Sequence, residues 1–267
     1  MSETYSYFDV AKMIDHSLLN PALTVDELEA GCHLAREYDV ASVCIMPYYA
    51  ARCAKLLEGS SVEPSTTIGF PHGGHSTEIK MAEAERALKD GATELDAVIN
   101  ISKARSGDWS YVGGEIRALT ELTHAHGQKI KIIFENAYLD EAAKIRLCQV
   151  CGEIGVDWVK TSTGYAPSGA TMEDLKLMRE HSPARVQVKA AGGVRDLDSL
   201  LAVRAIGVTR VGASRTAQIL DDCKARLAQR SDVLATAGSG YTGERQGSNH
   251  RGPALMRWVS RERQWML

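Results

Sequence analysis

The chain has 267 residues, of which 44% are hydrophobic, and its formal net charge is −3. This composition is sufficient for a full core, and the small charge gives no electrostatic case for binding nucleic acid or an anionic membrane. No apolar run approaches the roughly 20 residues that span a bilayer, and the N-terminal MSETYSYFDV lacks the basic and apolar regions of a signal peptide. We therefore expect a cytoplasmic protein with no nucleic-acid or membrane partner.

Eight short segments rich in β-branched residues alternate with amphipathic segments, a pattern typical of βα units around a parallel sheet. They begin roughly 23–36 residues apart, which favours a single α/β domain, a closed (β/α)8 TIM barrel, over an open sheet. An open sheet remains the alternative because the first segment is weak. The predicted strands are residues 12–17, 40–46, 65–70, 94–99, 130–135, 156–162, 186–191 and 209–214.

Between these strands, the sequence predicts several helix starts. Thr24 and Thr171 each stand three residues before an acidic residue, which is the spacing of a capping box or close to it. Asp196 is a candidate N-cap for a helix that follows the seventh strand. His72 and His75 precede a further helix, and without a carboxylate or a third histidine beside them they are expected to shape a turn rather than to bind a metal.

The pattern changes after about Ala228. Beyond that point Gly and Ser cluster, and five arginines lie between Arg245 and Arg263. Such a composition is typical of a flexible terminal extension. We predict that residues 1–228 form the barrel and that residues 229–267 form a flexible C-terminal tail.

The six cysteines are spread through predicted helices and strands, which is typical of reduced thiols. Cys148 and Cys151 form a C-x-x-C motif inside a predicted helix, but the sequence offers no second pair to complete a zinc site. Packing on one helix face is therefore favoured over metal or redox chemistry, and no metal site is predicted.

Several charged residues fall in or at the ends of predicted strands, although strands of a parallel barrel are covered on both faces and should be apolar. Because isolated buried charges are expensive, charges tolerated there should pair with one another. In the fifth strand, the two-residue alternation places Lys131, Ile133 and Glu135 on one face. A structural ion network is one explanation, but the number of charges and their position at strand ends favour a catalytic cluster. The residues concerned are Asp15, Asp96, Lys131, Glu135, Lys160 and Lys189.

Lys160 and Lys189 lie on consecutive predicted strands, so they should be neighbours in the barrel. A lysine with its ordinary pKa of about 10.4 is protonated and cannot attack a carbonyl. Burial and a second nearby ammonium both favour the neutral amine. The pair therefore meets the requirement of Schiff-base chemistry, in which one lysine reacts, the other lowers its pKa, and carboxylates relay protons.

Two glycine turns suggest a phosphate group on the substrate. AAGGVR, residues 190–195, and VGASR, residues 211–215, each place glycine shortly before a predicted helix. Glycine lets backbone N–H groups approach a phosphate closely, and the helix N-terminus adds a favourable dipole. Tight turns also use such glycines, but the loops after the seventh and eighth strands are where many barrels bind phosphate.

Taken together, these motifs resemble the deoxyribose-phosphate aldolase family. The resemblance runs from about Asp15 to Leu227 and includes, in order, IDHSLLNPALT, VCIMP, IGFPHG, ELDAVINI, KIIFE, WVKTSTGY, VKAAGGVR and VGAS. The combination of K-T-S-T-G with K-x-A-G-G-V-R is its most specific part. The resemblance implies reversible cleavage of 2-deoxy-D-ribose 5-phosphate to D-glyceraldehyde 3-phosphate and acetaldehyde, in deoxynucleoside catabolism, with neither a metal nor an organic cofactor.

The resemblance also implies roles for individual residues. Lys160 would be the Schiff-base lysine, Lys189 the lysine that perturbs it, and Asp96 the proton-relay carboxylate. The expected ligand is a small sugar phosphate, and a homodimer is the assembly expected of the family. The implied substrate-binding positions are Asp15, Ser17 and Cys44 near the sugar, with Gly164, Gly192, Gly193, Val194, Arg195, Gly212 and Ser214 around the phosphate.

Some positions depart from the family pattern. Ser17 and Asn136 stand where threonine is usual, and Arg215 stands where a small residue is common. Tyr165 occupies a position where some members carry a phosphate-contacting lysine, so it receives no charge role. Tyr241 matches the terminal tyrosine that reaches the active site in other members, but 26 more residues follow it here, so we do not expect it to play that part.

Two other functions stay open at the level of sequence. A phosphate-binding isomerase or epimerase would use Asp96 or Glu135 as a general base without forming an imine. The paired strand lysines argue against that reaction. A sugar-phosphate-binding regulator would use the basic tail as an interaction segment, but the complete set of Lys160, Lys189 and Asp96 argues against a protein that only binds.

Overall fold

The computed structural model describes residues 4–238, with side chains through residue 230. Most of the predicted tail, residues 229–267, therefore lies outside the described residues, and so does Tyr241. The last described helix continues as far as Gly238. In the part of the chain that is described, no helix is long and apolar enough to cross a membrane.

Eight parallel strands close into a barrel in which each strand pairs with the next and the last pairs with the first. This confirms the predicted (β/α)8 fold, including the weak first strand. The observed strands are β1 (Ile14–Leu18), β2 (Ser42–Ile45), β3 (Glu63–Ile68), β4 (Glu94–Val98), β5 (Lys129–Ile133), β6 (Trp158–Lys160), β7 (Gln187–Ala191) and β8 (Arg210–Ala213).

Helices follow the strands and cover the outside of the barrel. Short 3-10 turns at Pro47–Tyr49 and Asn136–Tyr138 lie in the loops after β2 and β5. The α-helices are α1 (Tyr7–Ala11), α2 (Val25–Glu37), α3 (Ala50–Leu57), α4 (Thr77–Lys89), α5 (Ile101–Arg105), α6 (Trp109–Ala125), α7 (Glu141–Ile154), α8 (Met172–His181), α9 (Leu197–Ala205) and α10 (Thr216–Gly238).

The predicted helix starts are confirmed by their hydrogen bonds. Thr24 caps α2 in a full capping box with Glu27, because each side chain accepts a hydrogen bond from the other residue's backbone N–H. Thr171 caps α8 through its side chain, and Asp196 caps α9 in a box with Ser199. These caps stabilise the N-termini of the helices that follow β1, β6 and β7.

The apolar core lies between the barrel wall and the helices. Cys148 and Cys151 are buried in this layer on α7, in agreement with the predicted packing of the C-x-x-C motif. All six cysteines are buried and carry free thiols. Within the described residues, no group of three or more His, Cys, Asp and Glu side chains is arranged to hold a metal ion.

One prediction about strand β5 is wrong. The strand ends at Ile133, two residues earlier than the pattern indicated, and Glu135 has φ 58° and ψ 63°, in the left-handed region. The two-residue alternation of side chains stops where the extended backbone stops. Glu135 therefore does not share a strand face with Lys131, and it contacts the loop after β6 instead.

Candidate active site

Inside the barrel, charges from several strands face one another. The parallel register pairs Lys160 of β6 directly with Lys189 of β7, and Asp96 of β4 with Lys131 of β5. Register partners in a sheet point to the same face, here the barrel interior. Their side chains are at most 3% exposed. The structure thus brings together five of the six predicted charges, the fifth being Asp15 of β1.

Asp96 lies at the centre of this cluster. Its Oδ2 atom accepts hydrogen bonds from Lys160 Nζ and Lys189 Nζ, each at 2.7 Å, and its Oδ1 atom accepts one from Lys131 Nζ at 2.9 Å. One carboxylate therefore bridges three ammonium groups in a water-poor interior. Pairing of this kind offsets the cost of burying each charge, which would be prohibitive for any one of them alone.

Asp15 provides the second bridge. Its Oδ2 atom is 2.5 Å from Lys189 Nζ, and its Oδ1 atom accepts a hydrogen bond from the guanidinium of Arg210. Arg210 also binds Glu94 Oε1 at 2.6 Å, and Glu94 in turn contacts Lys131 Nζ at 2.5 Å. The charges form one continuous network of alternating sign across the barrel.

The carboxylates of the network are held in their ionised form. Burial alone raises the pKa of Asp15, but Arg210, Lys189 and Lys131 together outweigh burial and hold that pKa well below its ordinary value. The same balance applies to Asp96. Burial raises its pKa, whereas the ammonium groups of Lys131, Lys160 and Lys189 lower it further than burial raises it.

The two lysines of the predicted pair differ in their pKa values. Burial lowers the pKa of Lys160, and the nearby ammonium of Lys189 lowers it further, so that Asp96 only partly restores it. Burial also acts on Lys189, but Asp15 and Asp96 together outweigh it and raise the pKa of that residue. Lys160 is therefore the amine more easily deprotonated, and Lys189 stays a cation.

A cavity of about 210 Å³ opens above this network at the C-terminal ends of the strands. Lys160 and Lys189 form its floor, next to Asp15. Every predicted substrate-binding residue lines this one cavity. These residues are Asp15, Ser17, Cys44, Gly164, Gly192, Gly193, Val194, Arg195, Gly212 and Ser214.

Glycine backbones form one wall of the cavity. Gly192 and Gly193 have φ angles of 76° and 108°, a region that favours glycine. Gly192 also packs against Gly169, where an added Cβ would be 2.3 Å from the Gly192 carbonyl oxygen. The loop after β7 thus needs glycine at these positions to follow its path along the cavity.

Cys44 and Tyr165 occupy the edges of the site. The Cys44 thiol is 4.0 Å from Asp96 Oδ2, and burial raises its pKa, so it stays protonated. The Tyr165 hydroxyl donates to the Leu19 carbonyl at 2.7 Å, and its ring packs edge-on against Phe70 with centroids 5.5 Å apart. Tyr165 is therefore held in place as a hydrogen-bonded aromatic residue beside Leu19, which lines the cavity.

A second cavity, of about 560 Å³, lies on the other side of the loop after β6. His72, Glu135, Tyr138 and Tyr165 are among its lining residues. Asn136 is not among the lining residues of either cavity. Its side-chain amide contacts Met178 Sδ at 3.3 Å. The usual threonine at position 136 is thus replaced by a residue that packs against α8.

Sequence reasoning missed three charged residues that the fold encloses, the partly buried Arg210 and the buried Lys80 and Glu115. Arg210 lies in the predicted eighth strand, so the rule that selected the other strand charges could also have found it. Lys80 and Glu115, which pair at 2.8 Å between α4 and α6, carry no such signal. A charged residue in an amphipathic helix is expected to face solvent, and only the packing of the two helices shows that these face each other.

A comparison with known proteins places this geometry among aldolases. Residues 9–218 match the family model described as DeoC/LacD family aldolase. The chain is 62% identical to the deoxyribose-phosphate aldolase of Rhodopirellula baltica, covering 89% of this chain and 99% of that protein. It is 43% identical to the deoxyribose-phosphate aldolase of Caldanaerobacter subterraneus subsp. tengcongensis, covering 82% and 95%.

A solved structure agrees with the sequence relatives. The deoxyribose phosphate aldolase of Aeropyrum pernix, described as having a unique tetrameric structure, superposes with a TM-score of 0.76 at 29% identity. The match covers 82% of this chain and 92% of the other. The barrel and the region that contains the charge network both fall within the family match.

Proposed function

Because this chain belongs to the DeoC/LacD aldolase family, among its deoxyribose-phosphate aldolases, we propose that its buried charge network carries out the reaction through Lys160. The enzyme reversibly cleaves 2-deoxy-D-ribose 5-phosphate to D-glyceraldehyde 3-phosphate and acetaldehyde. The proposal concerns which side chains do each part of this chemistry. It rests on one observation above all: Lys160 and Lys189 share one oxygen of Asp96, at 2.7 Å each, on the floor of the cavity.

Lys160 is the proposed nucleophile. Its lowered pKa provides a fraction of neutral amine at neutral pH, and the amine attacks the C1 aldehyde of the open-chain sugar. The carbinolamine that forms loses water to give a protonated imine between C1 and Nζ. The cationic nitrogen then withdraws electrons from the adjacent C2–C3 bond, which prepares that bond for cleavage.

Asp96 and Lys189 are the proposed proton-transfer pair. The Asp96 carboxylate, hydrogen-bonded to protonated Lys189, accepts the proton of the C3 hydroxyl through a water molecule, the C2–C3 bond breaks, and its electron pair moves to form the enamine. Glyceraldehyde 3-phosphate leaves at this point. The enamine is then protonated at C2, and water hydrolyses the resulting imine to release acetaldehyde and regenerate Lys160. Lys189, held as a cation by Asp15 and Asp96, keeps the field positive throughout.

The glycine wall is the proposed phosphate site. The loops after β6, β7 and β8 meet there, at the face of the barrel where such enzymes bind phosphate. Arg195 adds a cation next to Gly193, and Ser214 adds a hydroxyl shortly before α10. A phosphate bound at one end of the cavity would place the aldehyde of the same substrate over Lys160. The residues assigned to the phosphate are Gly164, Gly192, Gly193, Val194, Arg195, Gly212 and Ser214.

The decisive experiment is trapping of the imine. Borohydride added with 2-deoxy-D-ribose 5-phosphate should reduce the imine, and peptide mapping should find the adduct on Lys160. Lys160→Ala should form no adduct and should lose nearly all acetaldehyde release. An adduct on Lys189, or undiminished activity in Lys160→Ala, would contradict the assignment. Lys103→Ala, a change of an exposed lysine paired with Asp108, is the matched control and should trap normally.

The setting of the reaction completes the proposal. Sugar phosphates are charged and stay in the compartment where they are made, which supports a cytoplasmic enzyme with reduced cysteines. We further propose that the catalytic unit is residues 1–228, with residues 229–267 as an extension, and that the protein is a homodimer. The relative from Aeropyrum pernix is described as tetrameric, so its subunits also self-associate. Gel filtration with light scattering would measure the number of subunits.

A further inference from the structure

Glu135 is a buried carboxylate that the reaction described above does not use. Its side chain is 2% exposed, and no lysine or arginine among the described residues forms an ion pair with it. Both of its oxygens face Thr163 in the loop after β6. The Thr163 N–H points between them, at 3.2 Å from Oε1 and 3.3 Å from Oε2, and the Thr163 hydroxyl donates a short hydrogen bond to Oε2.

Thr163 also forms a hydrogen bond within the loop after β6. While its hydroxyl donates to Glu135, the same oxygen accepts a hydrogen bond from the Tyr165 N–H at 3.1 Å. Nearby, the Asn136 N–H donates to the Thr161 carbonyl at 3.0 Å. The segments after β5 and β6 are therefore joined at two points. Gly164, with φ 92°, lies between the two residues that these hydrogen bonds fix.

The backbone of Glu135 adopts a left-handed conformation at this position. A φ of 58° is uncommon for any residue other than glycine, so the surroundings must hold Glu135 in it. In this conformation the side chain leaves the path of β5 and meets Thr163. A carboxylate is suited to the task, because hydrogen bonds to an ionised acceptor are roughly twice as strong as neutral ones.

We propose that Glu135 is a positioning residue, which holds the loop after β6 so that Gly164 faces the substrate phosphate. Thr163 and Gly164 both line the catalytic cavity, whereas Glu135 stands behind them and does not. Lys160 is held by other contacts. Its backbone carbonyl accepts from the Phe134 N–H at 3.0 Å, and its Nζ donates to Asp96 Oδ2 at 2.7 Å. Loss of the carboxylate should thus loosen the phosphate contact more than the nucleophile. This inference rests on the proposed function.

The test uses Glu135→Gln, which keeps the shape of the side chain but removes its charge, and compares substrates with and without the phosphate. For 2-deoxy-D-ribose 5-phosphate, we expect KM to rise about tenfold and kcat to change less than threefold. For unphosphorylated 2-deoxy-D-ribose, kcat/KM should change less than twofold. An equal loss for both substrates, a loss confined to kcat, or unchanged constants would each overturn the proposal.

Thr163→Val supplies the second arm, since it removes the hydroxyl and keeps the volume. The two changes act on one hydrogen bond, so the double variant should lose no more than the worse single variant, whereas multiplied losses would contradict the link. If Glu135→Gln does not fold, Thr163→Val alone carries the same substrate comparison.

Glu115→Gln is the matched control, because Glu115 is also buried and also accepts a backbone N–H, that of Asn100 at 2.9 Å, but lies outside the site. It should lower thermal stability without changing the ratio of the two substrates, and a changed ratio would overturn the proposal. The wild-type protein in the same assay separates the two levels of inference. If it releases no acetaldehyde, the proposed function fails, and if it does while Glu135→Gln behaves like wild type, only the role of Glu135 fails.

Discussion

At Lys189, two negative neighbours raise the pKa of a lysine that is buried as deeply as Lys160, the proposed nucleophile. Asp15 and Asp96 both contact its ammonium group, while among the described residues Lys160 forms an ion pair with Asp96 only. A single additional carboxylate thus separates the raised pKa of Lys189 from the lowered pKa of Lys160. The separation follows from Coulomb attraction competing with desolvation, and it needs no difference in burial.

This difference predicts a pH shift. In Lys189→Leu the positive neighbour of Lys160 is gone and Asp96 is less neutralised, and both effects raise the pKa of Lys160. The fraction of neutral amine at a given pH then falls, so the acidic limb of the kcat/KM profile should move to higher pH by about one unit or more. The measurement is a pH series of acetaldehyde release.

Lys189→Arg keeps a cation at the same position and serves as the control. Its activity should fall because the larger group disturbs the cavity, but its acidic limb should stay close to that of the wild-type protein. If Lys189→Leu left the limb in place, Lys189 would have no part in setting the pKa of Lys160.

At the scale of single elements, a buried ion pair outside the proposed active site joins helices α4 and α6. Lys80 Nζ donates to Glu115 Oε1 and to the Val98 carbonyl, at 2.8 Å each, with both side chains at most 1% exposed. The pair joins two helices to the end of β4, the strand that carries Asp96. Burial lowers the pKa of Lys80, which Glu115 only partly restores.

We expect Lys80→Met to lower the free energy of unfolding by about 3–5 kcal/mol, because it leaves the Glu115 carboxylate buried without its counter-charge. Denaturant unfolding measures this. Arg86→Ala, which removes an exposed ion pair with Asp90 on the same helix, should change stability little by comparison. Equal effects of the two substitutions would show that the buried pair contributes no more than a surface one.

Element positions were largely predictable and element ends were not. The strand order, the barrel closure and the caps at Thr24, Thr171 and Asp196 follow from periodicity and local hydrogen bonding, both of which are written in short stretches of sequence. The end of β5 was missed because Glu135 leaves the strand in a left-handed conformation and contacts Thr163, which is 28 residues away along the chain. A local pattern carries no signal of such a contact.

Several members of the charge network could be predicted from the sequence, but the way they pair could not. A charged residue is unexpected in a barrel strand that is covered on both faces, and the two-residue alternation indicates which face it occupies. Asp15, Asp96 and Lys131 could therefore be placed together from the sequence. Which oxygen binds which ammonium depends on strand register, and the register is set by the closure of the whole barrel. The unequal pKa values of Lys160 and Lys189 therefore required the structure.

Across the whole molecule, the network links stability to pH. The pKa values of Asp15 and Asp96 are lowered in the folded state, so the stability they contribute is complete above their unfolded value of about 3.9 and is lost as pH falls through the folded values. The pKa of Lys189 is raised, so its contribution is complete below about 10.4 and is lost as pH rises through the folded value.

We therefore expect the free energy of unfolding to be nearly constant between about pH 7 and pH 9 and to fall on both sides. The fall on the acidic side begins with His16, because burial lowers its pKa to about 4 in the folded state and the unfolded imidazole takes up its proton near pH 6.5. Urea unfolding at a series of pH values measures this plateau. Because the charges are buried, 0.5 M salt should move its edges little, which serves as the control. Stability that kept rising below about pH 3 would contradict the description of the network.

The contact between Glu135 and Thr163 has a meaning for the size of molecules the enzyme can accept. A cavity of about 210 Å³ lies on one side of it, and one of about 560 Å³ lies on the other. Glu135 lines the larger cavity and Thr163 lines the smaller, so their hydrogen-bonded side chains lie between the two. We expect smaller side chains at these two positions to connect the cavities and admit longer aldehydes, which an assay with aldehydes of increasing length would measure.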